Sequence, residues 1–296
     1  MKRLLCLAFT VLSMCFCSLT HAVTVEDSKG TFTLDYIPKR IVVLEFSFAD
    51  ALASVNVSPV GIADDKDPER VLKQVRDIIG EWQSVGTRSQ PSLEVISSLK
   101  PDLIIADIGR HEGVYEDLKK IAPTLILPSR RETYEDNLKA ATVIGKVVGK
   151  DQKMQARLAK HKIIMQNYAT QLPKDFNVQF VVARADNLFM HPANSYAGGV
   201  IKALGLKNPS LEKDDKQSSR QIGLEQLLAI NPDYLIVGTY VSPNIIDKWE
   251  KEPLWSVLKV ARNQHIFRVN GNVWSRCRGI MAAENMAKDL TRIFNQ

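Results

Sequence analysis

The sequence predicts an α/β protein with two lobes, each a mostly parallel sheet flanked by helices, bridged by one long helix. Short continuous apolar runs alternate with helical patterns along the chain, which is typical of parallel βαβ units. Residues 150–172 form a long helical segment that contains no Gly or Pro. A short internal repeat, in residues 92–105 and 223–236, lies on both sides of that segment. Together these observations predict two similar lobes joined by the segment between them.

The first 22 residues resemble a secretory signal peptide. Lys2 and Arg3 precede an apolar run, and a small residue, Ala22, comes just before an abrupt change to polar sequence. The alternative is a lipoprotein anchor at Cys15, which the bulky residue before it disfavours. No later segment approaches the roughly 20 apolar residues of a membrane span. We therefore expect a cleaved signal peptide and a soluble mature protein outside the cytoplasm.

The remaining composition narrows the classes of function. Only Cys277 would remain after cleavage, so the fold must be held by burial without an internal disulfide. The formal charge of +6 falls to about +4 once the two basic residues of the signal peptide are removed. In this compartment a basic protein suits an anionic small molecule or a membrane surface, and we predict no nucleic-acid partner. We also predict no metal site, because the mature histidines lack metal-ligand spacing: His111, His161, His191 and His265.

The N-terminal lobe is predicted to span residues 23–149 and to begin with a hairpin over residues 23–34. Its strands are predicted from short apolar runs at residues 40–45, 59–63, 103–107 and 124–127. Its helices are predicted at residues 46–56, 68–79, 92–99, 112–121 and 133–148.

The bridging helix is predicted at residues 150–172, where the apolar positions fall near one face: Met154, Leu158, Met165, Ala169 and Leu172. The C-terminal lobe is predicted to span residues 173–296. Its strands are predicted at residues 178–183, 234–237 and 265–269, and its helices at 196–204, 224–229, 245–251, 255–261 and 279–294. Residues 211–221 are polar and charged, and we expect them to form an exposed loop.

The internal repeat pairs SLEVISSLKPDLII with GLEQLLAINPDYLI. Each copy predicts a short helix, a Pro-Asp turn and a buried strand, and Glu94 and Glu225 occupy equivalent positions. A common αβ turn could produce part of this similarity by chance. The matched glutamate and Pro-Asp pair favour a shared architecture in the two lobes.

Arginines and aromatic residues follow the predicted strands, at the edge where ligands of open α/β sheets bind. These residues are Arg110, Arg130, Arg131, Arg184, Tyr240, Trp274, Arg276 and Arg278, and Arg88 stands just ahead of the helix at residue 92. Guanidinium forks match carboxylates, so the sequence predicts a cleft between the lobes for an anion with several carboxylate groups. The alternative for any one arginine is a surface ion pair, and Arg131 and Arg276 are expected to point away from the cleft.

Enzyme signatures are absent from the sequence: there is no nucleophile elbow, phosphate loop, zinc-protease motif or dinucleotide fingerprint. Asp64 and Asp65 fit a turn and helix start better than a pair of catalytic carboxylates. Cys277 fits a small apolar filler better than a nucleophile. We therefore predict that the protein is not an enzyme.

A family resemblance is carried by several long segments: RIVVLEFSFADALA, WQSVGTRSQPSLE, LKPDLIIAD, GRHEGVY, SRRETYEDNL, IGLEQLLAINPD and VWSRCRGIMAAE. Over essentially the whole mature chain, the sequence resembles the helical-backbone substrate-binding proteins of bacterial ABC importers for siderophores, haem and vitamin B12. Within that family it is most similar to the members that bind ferric citrate. The resemblance implies a periplasmic protein, expected to be a monomer, that imports iron(III) held by citrate.

The resemblance also implies roles for individual residues. It places the following residues in the ligand-binding cleft: Arg88, Arg110, Arg130, Arg184, Tyr240, Trp274 and Arg278. It assigns Glu94 and Glu225 to docking on the inner-membrane ABC permease, whereas an ordinary first-turn glutamate is the alternative for each. Citrate would supply the oxygen donors that iron(III) prefers, so no protein ligand to the metal and no cofactor is implied. We further expect small lobe motion, because a continuous helix is a stiff hinge.

Three alternatives remain open on the sequence alone. A binding protein for another ferric siderophore, of carboxylate or hydroxamate type, would differ only in its cleft. A zinc- or manganese-binding relative would need several histidines and carboxylates directed at one metal. An exported two-lobed α/β enzyme would turn over its ligand.

Overall fold

The computed structural model describes residues 22–209 and 218–295. Within these residues, no helix combines the length and the apolar character needed to cross a bilayer. Nearly all of the predicted signal peptide, with Cys6, Cys15 and Cys17, lies outside the described residues, as do residues 211–217 of the predicted loop.

A parallel five-stranded sheet forms the N-terminal lobe, after an antiparallel hairpin of β1 (Val23–Asp27) and β2 (Gly30–Leu34). The strand order is β5-β4-β3-β6-β7. These strands are β3 (Ile41–Val43), β4 (Gly61–Ile62), β5 (Gln83–Ser84), β6 (Leu103–Asp107) and β7 (Thr124–Leu127). The order reverses between β3 and β6, and ligands of doubly wound sheets bind beyond the carboxyl ends at that point.

Helices cover both faces of this sheet, which explains why its strands are continuous apolar runs. Ile41 and Ile105 pack in one core with α1 and α6, while Val42 and Ile104 pack in a second core on the opposite face. The helices of this lobe are α1 (Phe46–Ser54), α2 (Lys73–Ile79), α3 (Leu93–Ser98), α4 (Ile108–His111), α5 (Tyr115–Ile121) and α6 (Tyr134–Val147).

The predicted bridging helix is present as α7 (Asp151–Gln171). Met154 packs in the core of the N-terminal lobe, and Met165 packs in a core of the C-terminal lobe. Between them, the buried His161 lies 2.5 Å from the Tyr134 hydroxyl and 2.8 Å from a carboxylate oxygen of Glu284. The helix therefore contributes side chains to both lobes and to a polar network between them.

A second five-stranded sheet, in the order β10-β9-β8-β11-β12, forms the C-terminal lobe. Its strands are β8 (Val178–Ala183), β9 (Leu188–His191), β10 (Arg220–Ile222), β11 (Tyr234–Thr239) and β12 (Ile266–Asn270). Strand β9 is antiparallel to both of its neighbours, whereas β8, β11 and β12 are parallel. The helices are α8 (Tyr196–Ala203), α9 (Leu224–Ile230), α10 (Ile245–Trp249), α11 (Lys259–Arg262) and α12 (Ile280–Phe294).

The structure corrects several element predictions. Strands β5 and β9 were not predicted, and Arg220 and Gln221 belong to strand β10 instead of an exposed loop. Three predicted helices begin as 3₁₀ turns, which occupy Pro68–Arg70, Glu112–Val114 and Pro253–Val257. Strand β5 has two polar residues, and two of the three residues of β10 are polar, so both lack the apolar run that identifies a buried strand. Strand β9 contains a run of three apolar residues, which is too short to be told from a loop or a helix segment by pattern alone.

Candidate functional site

A cavity of about 810 Å³ lies between the carboxyl edges of the two sheets. Residues of both lobes line it, as the strand-end argument predicts. Its most abundant side chain is arginine, at seven positions: Arg88, Arg110, Arg130, Arg131, Arg184, Arg276 and Arg278. The cavity therefore presents a strongly positive surface to any molecule that enters between the lobes.

Glu45 lies beneath three of these arginines and has no exposed surface. It lies two residues beyond the end of β3 and occupies the N-cap position of α1, at the point where the strand order reverses. Its carboxylate accepts hydrogen bonds from Arg110 Nε, from Arg278 Nη2 at 2.7 Å and from Arg88 Nη1 at 3.5 Å. Burial alone would raise the pKa of Glu45, but the three guanidinium groups hold it below its usual value.

Arg88 is the most heavily paired of the cleft arginines. Besides Glu45, it donates to Asp65 through Nη2 at 2.7 Å, and Arg70 also contacts Asp65 at 3.3 Å. Its guanidinium carbon lies 4.1 Å from the ring centroid of Phe46. Despite partial burial, these arginines lower the pKa of Asp65 to about 2. Asp65 is therefore a permanent counter-ion of Arg88, a role that goes beyond the turn predicted from the sequence.

Four of the seven arginines form no ion pair within the described ranges 22–209 and 218–295. They are Arg130, Arg131, Arg184 and Arg276. Burial, together with the neighbouring Arg110 and Arg131, lowers the pKa of Arg130, and the charge of Glu45 offsets this only in part. These four side chains supply positive charge that the protein itself leaves unneutralised.

Two of the unpaired arginines are held against aromatic rings. The Arg276 guanidinium carbon lies 4.2 Å from the centroid of Tyr240, and that of Arg184 lies 4.9 Å from the centroid of Phe189. Such stacking fixes the orientation of a guanidinium without neutralising it. The expectation that Arg131 and Arg276 point away from the cleft is wrong: both line the cavity. A second arginine nearby in the sequence does not decide direction, and here the left-handed backbone of Arg131 and of Arg278 turns the chain within each cluster.

The predicted aromatic residues occupy different depths. The Tyr240 hydroxyl donates to the Gly271 carbonyl oxygen at 2.8 Å and contacts Ser275, so the ring that supports Arg276 is itself fixed. Trp274 borders the cavity but has no exposed surface, and its indole N–H donates to Asp289 at 2.9 Å. It also packs against Phe180, with ring centroids 5.1 Å apart. Trp274 thus supports the cavity floor, while Tyr240 forms part of its wall.

Two histidines near the cavity are neutral. The Nδ1 atom of His111 accepts the Asp107 backbone N–H at 2.9 Å, and Nε2 lies 2.8 Å from the Arg88 carbonyl oxygen, to which it donates. Burial lowers the pKa of His111, and burial with the nearby Arg278 lowers the pKa of His191 to about 4. His111 therefore supports the backbone of Arg88 through its hydrogen bonds.

Asp107 fixes the loop that carries Arg130. One carboxylate oxygen accepts the backbone N–H groups of Ser129 at 2.8 Å and of Arg130 at 3.0 Å. Burial, reinforced by the charge of Glu45, raises the pKa of Asp107 to about 6. Glu45, Asp65 and Asp107 were not predicted as site residues. The available signal was a carboxylate at or just beyond the carboxyl end of an apolar strand, which both Glu45 and Asp107 provide.

Glu94 and Glu225 lie at equivalent places in the two lobes. Each occupies the first turn of a short helix, α3 or α9, and each is exposed. Strands β5 and β10, which lead towards these helices, run parallel to β4 and β8 respectively, so both glutamates lie at the carboxyl edge of their sheets. Neither forms an ion pair with another residue that the structure describes.

A family model described as periplasmic binding protein matches residues 41–272, and the chain belongs to that family. The chain is 52% identical over 274 residues to the Fe(3+) dicitrate-binding periplasmic protein FecB of Escherichia coli K12, with 93% of this chain and 91% of FecB covered. It is 42% identical to the Fe(3+)-citrate-binding protein YfmC of Bacillus subtilis 168, over 92% of this chain and 86% of YfmC. These relatives confirm that the protein is a substrate-binding protein and not an enzyme.

Solved structures show the same fold. Staphylococcus aureus SirA complexed with staphyloferrin B superposes with a TM-score of 0.81 at 24% identity, covering 92% of this chain and 98% of SirA. Bacillus subtilis FeuA complexed with ferri-bacillibactin gives a TM-score of 0.77 at 20% identity, covering 93% of this chain and 98% of FeuA. At these identities the similarity concerns the fold alone, and it confirms the predicted two-lobed α/β architecture.

Proposed function

We propose that this protein captures iron(III) held by citrate in the periplasm and delivers it to an inner-membrane ABC importer. The observation that carries the proposal is the cavity between the lobes, where four arginines have no carboxylate partner within the described part of the chain. A ligand with several carboxylates would supply the missing partners. The identity of 52% to FecB and of 42% to YfmC supports the same ligand.

The mode of capture follows from the chemistry of the two partners. Iron(III) is a hard cation that citrate oxygens satisfy, so the protein needs only to bind the anionic exterior of the complex. Guanidinium groups do so through paired N–H donors, while the arginines paired with Glu45 and Asp65 hold the cavity floor in place. Among the described residues, no group of three or more His, Cys, Asp or Glu side chains could hold a metal ion.

Delivery would use the exposed glutamates of the two lobes. Glu94 and Glu225 lie at the carboxyl edges that also border the cavity, so a partner that contacts both would face the opening of the cleft. Replacing either residue with Lys should abolish transport in cells while leaving the affinity for ferric citrate unchanged. A transport-competent double variant would contradict this docking role.

The proposed location is the periplasm, after removal of residues 1–22, and the proposed state is a monomer with no bound cofactor. Cell fractionation and N-terminal sequencing of the exported protein test the cleavage site. A protein retained on a membrane with a lipid on Cys15 would contradict it.

The deciding experiment is calorimetric titration of the mature protein with ferric citrate, iron-free citrate and a ferric hydroxamate in parallel. Saturable binding of ferric citrate, with little heat from the hydroxamate, supports the proposal. Preference for the hydroxamate contradicts it and favours a different siderophore. Tryptophan fluorescence alone is a weaker readout, because Trp274 has no exposed surface for a ligand to touch.

A further inference from the structure

We propose that Glu45 is an internal competitor for the ligand, neutralising part of the arginine cluster in the empty protein and thereby lowering the affinity for the incoming anion. This inference rests on the proposed function, since it assumes an anionic ligand in the cavity. Under this proposal Glu45 weakens ligand binding, whereas a residue that only shapes the site would not.

Glu45 is paired with guanidinium groups that a ligand carboxylate would also use. Its two oxygens accept hydrogen bonds from guanidinium groups of both lobes: Arg88 and Arg110 belong to the N-terminal lobe, and Arg278 follows the last strand of the C-terminal lobe. A carboxylate arriving in the cavity offers the same acceptor atoms to the same cations. The field that Arg110 and Arg278 project into the cavity is therefore already reduced by the buried charge of Glu45.

Arg110 shows that this competition is compatible with ligand binding. Within the described residues its only side-chain hydrogen bond runs from Nε to Glu45, and about 15% of its side chain is exposed. Its terminal Nη groups thus remain available to the cavity. The ligand does not need to displace Glu45; it binds beside it, and both carboxylates share one guanidinium.

Charge balance explains why such a competitor is needed. Seven arginines line the cavity, and four of them have no ion pair in the part of the chain that the structure covers. Without Glu45, the guanidinium groups of Arg88, Arg110 and Arg278, two of which are buried, would repel one another in the empty protein. A ligand would then relieve that repulsion, and binding would be tighter and release slower. Glu45 stabilises the empty state, which a protein that must hand over its ligand has to reach repeatedly.

The test compares wild type with Glu45→Gln, which keeps the shape of the side chain and removes its charge. We expect ferric citrate to bind about tenfold more tightly, since one negative charge within several ångströms of a polyanion is removed. The melting temperature of the ligand-free variant should fall, and its increase on adding ferric citrate should exceed that of wild type. Loss of a purely structural group would not tighten binding, so a gain in affinity supports the inference. Unchanged or weaker affinity in a folded variant overturns it.

Two further variants keep the test decisive. Glu112→Gln removes an exposed carboxylate that pairs with Lys29 outside the cavity, and its affinity should equal that of wild type. If Glu45→Gln does not fold, Glu45→Asp replaces it in the test. The aspartate side chain is one methylene shorter, so its carboxylate lies further from the arginines, and the variant should show a smaller gain in affinity. No gain with this folded variant overturns the inference.

Failure of the proposed function is distinguishable from failure of this inference. If wild type does not bind ferric citrate, the proposed ligand is wrong. Stabilisation by iron-free citrate and by sulfate, measured as the rise in melting temperature, then decides the role of Glu45. Each anion should stabilise the Glu45 variant more than wild type, and equal stabilisation overturns the inference.

Discussion

The carboxylate of Asp50, in α1, accepts the backbone N–H of Met281, the second residue of α12, with 3.0 Å between Oδ2 and N. It also accepts the N–H of Ala282 at 3.2 Å. Helix α12 has no capping side chain of its own, so Asp50 caps it from a distant part of the chain. This contact joins the first helix of the N-terminal lobe to α12. Helix α12 begins directly after Gly279, which itself follows the cleft arginine Arg278.

Replacing Gly279 with Ala should destabilise the protein by about 2 kcal/mol, a typical cost of overpacking a tight contact. A Cβ at position 279 would collide with the Asp50 carboxyl group, and the Gly279 carbonyl oxygen is fixed by the Tyr196 hydroxyl at 2.5 Å. Urea unfolding measures the loss. Gly113→Ala is the matched control, since no atom of the described residues lies within 4 Å of a Cβ there. Equal stability of the two variants would show that α1 and α12 separate easily.

Asp50 should stabilise the folded protein increasingly as the pH falls. Burial raises the pKa of Asp50 from 3.8 to about 6, so between these values the folded state binds more protons than the unfolded state. Stability from this group therefore rises as the pH falls. Relative to wild type, Asp50→Asn should lose about 2 kcal/mol in free energy of unfolding between pH 7 and about pH 4.5. Urea unfolding at several pH values measures the difference.

His191 should contribute in the opposite direction over the same pH range. Its pKa is lowered from 6.5 to about 4, so the unfolded state binds the proton first and stability falls as the pH falls. His191→Asn should therefore gain about 2 kcal/mol relative to wild type between pH 7 and about pH 4.5. Relative to wild type, the unfolding free energies of the two variants should change with pH in opposite directions. A change in the same direction in both would contradict the shifted pKa of Asp50 or of His191.

Arg88 should matter more for stability than for ligand contact. It is 4% exposed and bonded to both Glu45 and Asp65, so its removal leaves buried carboxylates short of partners. We expect Arg88→Gln to lose about 3 kcal/mol of unfolding free energy, the usual cost of breaking a buried ion pair from one side. Arg40→Gln serves as the control, because among the described residues the side chain of that exposed arginine bonds only to carbonyl oxygens. A loss no larger than that of the control would contradict the importance of the Glu45 cluster.

The sequence predicts the fold well where burial leaves a local pattern. Strands such as Leu103–Asp107 are covered on both faces, so they appear as apolar runs, whereas Arg220–Ile222 at a sheet edge does not. The cleft arginines are predictable because topology brings strand ends together. Their partners are not: Glu45 and Arg278 are 233 positions apart, and no local pattern reports which carboxylate meets which cation.

Arg131 and Arg276 should contribute to the affinity for the ligand but not to the stability of the ligand-free protein. Both line the cavity, and neither forms an ion pair in residues 22–209 or 218–295. Replacing either with Gln removes a charge that the empty protein leaves unneutralised, so we expect affinity for ferric citrate to fall about tenfold, or about 1.4 kcal/mol. The melting temperature of the ligand-free protein should stay the same or rise, because repulsion among the cleft arginines decreases.

Calorimetric titration at two salt concentrations distinguishes this role from a structural one. The loss of affinity should shrink at high salt, since screening weakens the charge interaction that was removed. Arg276→Lys keeps the charge but loses the planar stacking on Tyr240. Its affinity for ferric citrate should lie between those of wild type and Arg276→Gln. Loss of stability in place of affinity would place these arginines with Arg88, as part of the scaffold beneath the cleft.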